Sequence, residues 1–183
     1  MDFEKILPVI IKELEDNKIQ YALIGGFAMG VWGISRATTD LDFLIAVEQS
    51  DKIERVLGKF WYKCVYKSEN VSQFVSDLKP FGELDFLHAF REISTAMLKR
   101  AAVVEVMNGA LKLKVLIPED IIGLKIQAMV NNPSRRAREM SDIEMLLNYR
   151  GDKLDWSLIE KYFLLFSQKE EFEQLKAKYG KNK

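Results

Sequence analysis

The stretch from Tyr21 to Ile45 constrains the fold of this chain more than any other segment. A short apolar strand, Tyr21–Ile24, leads into the glycine pair Gly25-Gly26, and a second strand, one helix later, opens with Asp40-Leu41-Asp42. Glycine N–H groups at the start of a helix bind anions, and paired carboxylates bind hard cations. A magnesium-bound nucleoside triphosphate needs both kinds of group, so the stretch predicts a nucleotide site on a strand–helix–strand unit.

The composition excludes several classes of protein. Among the 183 residues, Lys and Arg together number 27, as do Asp and Glu, so the zero net charge argues against a strongly basic nucleic-acid coat protein. The single cysteine, Cys64, excludes an internal disulfide framework. The N-terminal residues do not resemble a signal peptide, and no apolar run approaches the roughly 18 residues that a membrane span requires. We therefore expect a cytoplasmic protein with no membrane partner.

The order of the predicted elements divides the chain into two parts. Further strands are predicted within 62–76 and 83–88, and Asn108-Gly109 predicts a type I′ hairpin turn. From Pro118 onward the periodicity is helical throughout. The sequence thus predicts an α+β fold, with a mixed αβ core and β-sheet over residues 1–116 and a helical subdomain over residues 117–183.

Asp40, Asp42 and Asp85 are the candidate metal ligands. Alternate residues of a strand share a face, so Asp40 and Asp42 point the same way, about 6.5–7 Å apart along the strand. Carboxylates held this close repel each other unless a cation or a proton lies between them. An isolated Asp-x-Asp more often caps a strand or faces water, but the glycine pair and the second acidic strand argue against that here. If the strands are neighbours, Asp85 completes a two-metal site or acts as general base, and Glu83 competes for this place.

The glycine pair and two basic residues are predicted to bind the phosphates. Gly25 and Gly26 let a phosphate approach the backbone, although a Gly-Gly turn alone more often only packs a helix onto a sheet. Arg36 precedes the acidic strand, where it either stabilises the transferring phosphoryl group or balances the aspartates. Lys125 lies on the apolar stripe of its helix, where a lysine snorkels, pairs with a carboxylate or reaches a ligand.

Three other polar features of the sequence allow a structural explanation. Asp142 either orients Lys125 or pairs with Arg138, four residues earlier, on the surface of a helix. The basic cluster at 135–138 either meets a nucleic-acid backbone or, as we favour, is the solvated start of a helix. His88 lies on the predicted core face of its strand, which is typical of a structural histidine.

Two blocks of the sequence resemble the nucleotidyltransferase superfamily, whose fold is that of the DNA polymerase β catalytic core. The second block also resembles the downstream region of AbiEii-type nucleotidyltransferases, in which a proline-initiated helix carries a lysine and the next helix carries a basic stretch and an aspartate. The resemblance covers about residues 20–150. The first block comprises Gly25, Gly26, Gly33, Arg36, Thr38, Asp40 and Asp42, and the second comprises 116–125 and 135–147.

The resemblance implies transfer of a nucleoside monophosphate from an NTP to an acceptor hydroxyl, with two Mg2+ ions held by the three aspartates. Thr39 and Asp142 are predicted as supporting residues. Relatives include tRNA-modifying toxins, so the expected acceptors are tRNA, a protein or a small molecule, and a cognate antitoxin is an expected partner. Many members carry a serine after the first glycine, whose hydroxyl touches the triphosphate, whereas this chain carries Gly26. A catalytically silent binding module is therefore the alternative, while a metal-dependent nuclease would not explain the glycine pair.

Overall fold

The computed structural model describes residues 1–78 and 80–180, which form one seven-stranded sheet and eight α-helices. The strands are β1 (Tyr21–Ile24), β2 (Asp40–Ala46), β3 (Tyr62–Lys67), β4 (Val71–Ser76), β5 (Glu83–Ala89), β6 (Ala102–Val106) and β7 (Leu111–Val115). The helices are α1 (Phe3–Asp16), α2 (Gly25–Val31), α3 (Ser50–Gly58), α4 (Glu92–Lys99), α5 (Pro118–Asn131), α6 (Arg136–Arg150), α7 (Trp156–Leu165) and α8 (Lys169–Tyr179). The predicted α+β class is confirmed.

The sheet is mixed, and its strand order is β3-β4-β5-β2-β1-β7-β6. Its central strand β2 runs parallel to β5 and antiparallel to β1. β1 in turn pairs in parallel with β7. Because β2 is hydrogen-bonded on both sides, its neighbours fix both its register and the direction in which its aspartates point.

The chain divides into two compact units. The first contains Met1–Val31 and Ser35–Leu116, and the second contains Trp32–Ile34 and the chain from Ile117 onward. The first unit thus holds the whole sheet and α1–α4, and the second holds α5–α8. Residues 181–183 of the predicted helical subdomain lie outside the described residues.

Apolar residues at helical spacing build the first layer of the core in the sheet unit. α1 begins at Phe3, after Asp2 accepts a hydrogen bond from the backbone N–H of Lys5, and it continues through Pro8 without ending there. The segment is helical because its apolar residues recur three and four positions apart, so that a helix places them all on one side, facing the core. The buried residues of that face are Ile6, Leu7, Ile10, Ile11 and Leu14.

A hairpin joins β6 and β7 at Asn108-Gly109, as predicted. Asn108 has φ 55° and Gly109 has φ 85°, and the N–H of Ala110 donates to the carbonyl of Met107 at 3.1 Å. Positive φ at both central residues is the requirement of a type I′ turn, which asparagine and glycine meet at low cost. The strands, however, end at Val106 and Leu111, and Met107 also has a positive φ of 53°, so the connection is a four-residue loop and not a two-residue turn.

The helical unit is organised around α5, which begins at Pro118 as predicted and is buried along most of its length. Gly123 allows α7 to approach, because a Cβ atom at this position would lie 2.9 Å from the ring of Tyr162. The Tyr162 hydroxyl donates to Asp120 Oδ1 at 2.5 Å, so two fully buried polar groups satisfy each other. Among the helices described, none has both the length and the apolar character needed to cross a membrane.

Candidate active site

Three carboxylates meet on one face of the sheet. β2 and β5 are parallel neighbours, and their register places Asp42 directly opposite Asp85. Asp40, Asp42 and Asp85 each offer one oxygen, these oxygens lie within 4.8 Å of one another, and each residue is partly buried. The structure thus brings together the three acids singled out from the sequence. Glu83, the rival of Asp85, pairs with Asp40 in the register but is exposed and lies outside this cluster.

The opposite face of the same two strands is apolar and fully buried. Leu41 and Phe43 of β2 alternate with the aspartates, and Leu84 and Phe86 of β5 alternate with Asp85. The rings of Phe43 and Phe86 stack with their centroids 5.3 Å apart. A shift of one residue in either strand would bury the carboxylates and expose these side chains, so the hydrophobic core fixes the register that forms the acidic cluster.

Gln73 is a site residue that the sequence analysis missed. It lies on β4 directly opposite Asp85, and its amide Nε2 donates to both carboxylate oxygens of Asp85 at 3.2 Å. Burial raises the pKa of Asp85, the Gln73 hydrogen bonds oppose that rise, and the negative charges of Asp40 and Glu83 add to it. The sequence signal was weak, since Gln73 is a single polar residue that alternates with buried positions on its strand.

Thr38 holds the first aspartate of the cluster. Its hydroxyl donates to Asp40 Oδ1 at 2.7 Å. Thr38 is partly buried, whereas Thr39, the predicted supporting residue, is exposed. The hydroxyl contact with Asp40 is therefore made by the threonine that lies two residues before it, and a role for Thr39 stays a prediction.

The first glycine of the pair is required by both its conformation and its surroundings. Gly25 has φ +67°, and a Cβ atom there would lie 1.8 Å from Asp42 Oδ2. Only glycine adopts this φ routinely, and only a residue without a side chain lets the loop approach the carboxylate so closely. The glycine loop, which is the turn Gly25-Gly26 where β1 passes into α2, is therefore in direct contact with the acidic strand β2, as the nucleotide-site prediction requires.

The second glycine faces two side chains of the segment before β2. A Cβ atom at Gly26 would lie 2.8 Å from Thr38 Oγ1 and 3.4 Å from Arg36 Nη1. The predicted phosphate contacts Gly25, Gly26 and Arg36 therefore lie within one small region of the sheet unit. A guanidinium beside glycine N–H groups favours an anion at this place, because both kinds of group are hydrogen-bond donors with positive charge or partial positive charge.

Lys125 and Asp142 pair with each other inside the helical unit. Lys125 Nζ donates to Asp142 Oδ2 at 2.5 Å and to Glu139 Oε2 at 3.0 Å, and all three residues are buried. Burial raises the pKa of Glu139, but Lys125 and Arg135 outweigh this effect and leave the pKa below its ordinary value. Of the alternatives open for Asp142, the structure shows the pairing with Lys125.

The donor set fits a hard divalent cation. Its members are all carboxylate oxygens, which Mg2+ prefers at about 2.0–2.1 Å. A spread of 4.8 Å allows the three side chains to close on one ion by small rotations, or to bridge two ions roughly 3.5–4 Å apart. The geometry is therefore that of a group of carboxylates able to hold a divalent cation.

His88 takes no part in the acidic cluster. Its Nδ1 lies 3.0 Å from the carbonyl oxygen of Glu69, and its Nε2 lies 3.0 Å from the Ser72 hydroxyl. The residue is 4% exposed, and burial lowers the pKa of its ring. A buried histidine with both ring nitrogens hydrogen-bonded is a structural residue, as expected from the sequence.

A profile of nucleotidyl transferases of unknown function (DUF2204) matches residues 3–179. No curated protein is significantly similar to the chain. The antibiotic-resistance factor ANT(2″)-Ia is 14% identical over 98% of this chain and 99% of that chain, with a TM-score of 0.65. The antigenic nucleotidyltransferase-like protein from Paracoccidioides brasiliensis is 17% identical over 95% and 91%, with a TM-score of 0.57. The lincosamide adenylyltransferase LnuA, solved with lincomycin, is 18% identical over 76% and 93%, with a TM-score of 0.54.

These solved structures share the fold, and the profile covers nearly the whole chain. The resemblance to the nucleotidyltransferase superfamily, inferred from the glycine pair and the aspartates, is confirmed. The narrower resemblance to AbiEii-type proteins rests on the second sequence block alone and stays a prediction.

Proposed function

This chain belongs to the family of nucleotidyl transferases of unknown function, and from that premise we propose that it transfers a nucleoside monophosphate from an NTP to an acceptor hydroxyl with Mg2+. The observation that carries the proposal is the contact between the glycine loop and the acidic cluster. Gly25 lies against the Asp42 carboxylate, and one oxygen of that carboxylate lies within 4.8 Å of oxygens of Asp40 and Asp85. A triphosphate on the loop would therefore have its charged oxygens beside the cation-binding group.

Each residue of the cluster has a proposed role in the reaction. Asp40, Asp42 and Asp85 would hold Mg2+, which when bound neutralises charge on the triphosphate and aligns it for displacement. The N–H groups of the glycine loop and the Arg36 guanidinium would bind phosphate oxygens that become more negative as the reaction proceeds. The acceptor oxygen forms a bond to the α-phosphorus while the bond to the bridging oxygen breaks, and pyrophosphate leaves.

The proton of the acceptor hydroxyl needs a base, and Asp85 is the best placed. Its carboxylate is one of the three in the cluster, and burial raises its pKa above the ordinary aspartate value. A carboxylate with a raised pKa is a stronger proton acceptor near neutral pH. The amide of Gln73 would keep the carboxylate in one orientation while it receives the proton.

Lys125 as a phosphate ligand and Asp142 as its support remain proposals. An ammonium has three donors, and two of those of Lys125 are committed to Asp142 and Glu139. The third donor is the group that would bind a phosphate oxygen. The two carboxylates would hold the Lys125 side chain in one rotamer.

We propose that the acceptor is a small hydroxylated molecule rather than RNA. The cluster at 135–138 is the main basic run of the sequence, yet Arg135 pairs with Glu139 and Arg136 pairs with Glu171. Arginines already paired with carboxylates release little counterion on meeting a phosphate backbone, so they add little to RNA affinity. ANT(2″)-Ia has been solved with adenylyl-2″-tobramycin, and the lincosamide antibiotic adenylyltransferase LnuA with lincomycin, which makes small molecules of this kind the first acceptors to test.

The experiment compares matched variants with α-labelled nucleotides. Wild-type protein, Asp42→Asn and Glu83→Gln are incubated with each labelled NTP, Mg2+ and panels of small alcohols, tRNA and protein extract. We expect label on a small alcohol with the wild type and Glu83→Gln, and none with Asp42→Asn. Label on tRNA or protein instead would overturn the acceptor class and keep the transfer. A tRNA product together with growth arrest that a small adjacent gene relieves would support a toxin–antitoxin pair.

The silent binding module predicts a different result. Calorimetry would then show Mg2+-dependent nucleotide binding by the wild type, while no acceptor in any panel receives label. The glycine at position 26 favours this alternative, since the phosphate-binding serine of many relatives is absent.

A further inference from the structure

We propose that Thr38 occupies the space that a side chain at position 26 would need, and that its hydroxyl presets Asp40 for the metal. This inference rests on the proposed function, since it concerns the same site. It makes Thr38 a positioning residue, which acts through Asp40 and not directly on the reacting atoms. It also explains why position 26 carries a glycine in this chain.

Thr38 leaves no room for a side chain at position 26. A Cβ atom at position 26 would lie 2.8 Å from Thr38 Oγ1 and 2.9 Å from Thr38 Cβ. Real Cβ atoms essentially never come that close to another heavy atom. Gly26 is buried and has no positive φ that would itself demand glycine. The threonine side chain is therefore the reason that position 26 carries none.

The Thr38 hydroxyl also fixes the orientation of Asp40. Thr38 Oγ1 lies 2.7 Å from Asp40 Oδ1 and donates its only hydrogen to it. A hydroxyl that donates to a charged carboxylate makes a short, strong hydrogen bond. The bond fixes one oxygen of Asp40 and thereby directs the other, so the aspartate keeps a single orientation before any cation arrives.

The hydrogen bond to Asp40 sets the expected size of the effect. Groups that hydrogen-bond a metal ligand typically contribute about 10–100-fold to metal affinity or activity. Thr38 has this relation to Asp40, and Gln73 has the same relation to Asp85. Loss of the Thr38 hydroxyl should therefore weaken the binding of a divalent cation by about 10–100-fold without unfolding the sheet unit.

The test measures Mn2+ binding by electron paramagnetic resonance, which reports free Mn2+ and does not depend on turnover. Thr38→Val removes the hydroxyl at nearly constant volume, and Thr38→Ser keeps it. Thr95→Val is the matched control, because Thr95 also donates a hydroxyl hydrogen bond in the sheet unit, to the carbonyl of Glu92 at 2.9 Å. Asp42→Asn shows whether the bound Mn2+ is at the acidic cluster. Circular dichroism melts establish that each variant is folded.

We expect the wild type to bind Mn2+ and Asp42→Asn to bind none. Thr38→Val should bind Mn2+ about 10–100-fold more weakly than the wild type. Thr38→Ser and Thr95→Val should bind it with close to the wild-type affinity. Equal affinities of the wild type and Thr38→Val would overturn the role of Thr38 and leave the proposed function standing. A wild type that binds no Mn2+, or binds it unchanged in Asp42→Asn, would overturn the metal site and with it both proposals.

A steric swap tests the other half of the inference. Gly26→Ser alone should lower Mn2+ affinity, because its Cβ displaces Thr38 from Asp40. Adding Thr38→Gly removes the colliding atoms, so Gly26→Ser should lower the affinity less in the Thr38→Gly background than it does in the wild type. If the two single losses simply add in the double variant, positions 26 and 38 do not share one space, and this part of the proposal is wrong.

Discussion

Replacing Gly25 with alanine tests the contact between the glycine loop and the acidic cluster. The new Cβ would lie 1.8 Å from Asp42 Oδ2, while ordinary contacts begin near 3.4 Å. The carboxylate oxygen must therefore retreat by about 1.6 Å, or the loop must move by the same amount. Alanine at φ +67° adds a backbone cost of roughly 1–2 kcal/mol.

A displacement of this size should be far more damaging to activity than to folding. A misplacement of about 1 Å at a reacting centre can lower the rate about 100-fold, and here either Asp42 or the backbone at Gly25 is displaced by more than that. We therefore expect Gly25→Ala to lose at least about 100-fold in kcat/KM for NMP transfer and to bind Mn2+ more weakly. Its free energy of unfolding should fall by only the backbone cost, roughly 1–2 kcal/mol.

The assay pairs labelled-NMP transfer with urea unfolding, and Gly30→Ala is the control. Gly30 lies on the same helix, α2, but a Cβ atom there meets nothing within 4 Å. This control should keep full activity and gain roughly 0.5–1 kcal/mol of stability, the usual effect of alanine in a helix. The reasoning is refuted if folded Gly25→Ala transfers and binds Mn2+ as the wild type does.

Three further predictions concern the support of the site and of the fold. Gln73→Leu removes the amide donor from Asp85, so we expect kcat to fall about 10–100-fold with little change in melting temperature; an unchanged kcat contradicts the positioning role. Tyr162→Phe deprives the buried Asp120 of a donor and should cost about 1–3 kcal/mol in urea unfolding, whereas a loss below the error of the measurement would show that water replaces the bond. Burial lowers the pKa of His88 below the ordinary 6.5, so its contribution to stability is complete above pH 6.5 and declines as the pH falls toward the folded-state pKa. The melting temperature should therefore drop less between pH 8 and pH 5.5 for His88→Gln than for the wild type. Equal drops would contradict a lowered pKa of His88 in the folded state.

Much of the fold was predictable because its signals are local. Tyr21–Ile24 is a strand with the predicted bounds, and the helix Pro118–Asn131 begins at the predicted proline. The turn at Asn108-Gly109 was predictable because its two residues select one turn type. These features depend on the residues within each element and not on what lies beside it.

The residues that hydrogen-bond the aspartates were not predictable, because their contacts form only in the folded sheet. Gln73 and Asp85 become partners only through the pairing of β4 with β5, and single-sequence patterns do not reveal which strands pair. The sequence analysis likewise assigned a supporting role to Thr39, whereas the hydroxyl bound to Asp40 belongs to Thr38. In an irregular segment before a strand, alternation gives no guide to which of two adjacent threonines faces the site.

The aspartates were predictable because three constraints coincide. Alternation put Asp40 and Asp42 on one face, the apolar residues between them marked the other face as core, and Asp85 shows the same alternation on its own strand. Only the adjacency of the two strands had to be assumed. The register that pairs Asp42 with Asp85 supplies that adjacency.

The central claim is that the chain transfers the α-phosphate of an NTP with its nucleoside. The most direct test incubates the wild type with ATP labelled at the α-phosphorus or, in parallel, at the γ-phosphorus, together with Mg2+ and an acceptor panel. We predict that the α-label moves to an acceptor while the γ-label leaves as pyrophosphate. Transfer of the γ-label to the acceptor, or tight nucleotide binding with neither label transferred, would contradict the claim.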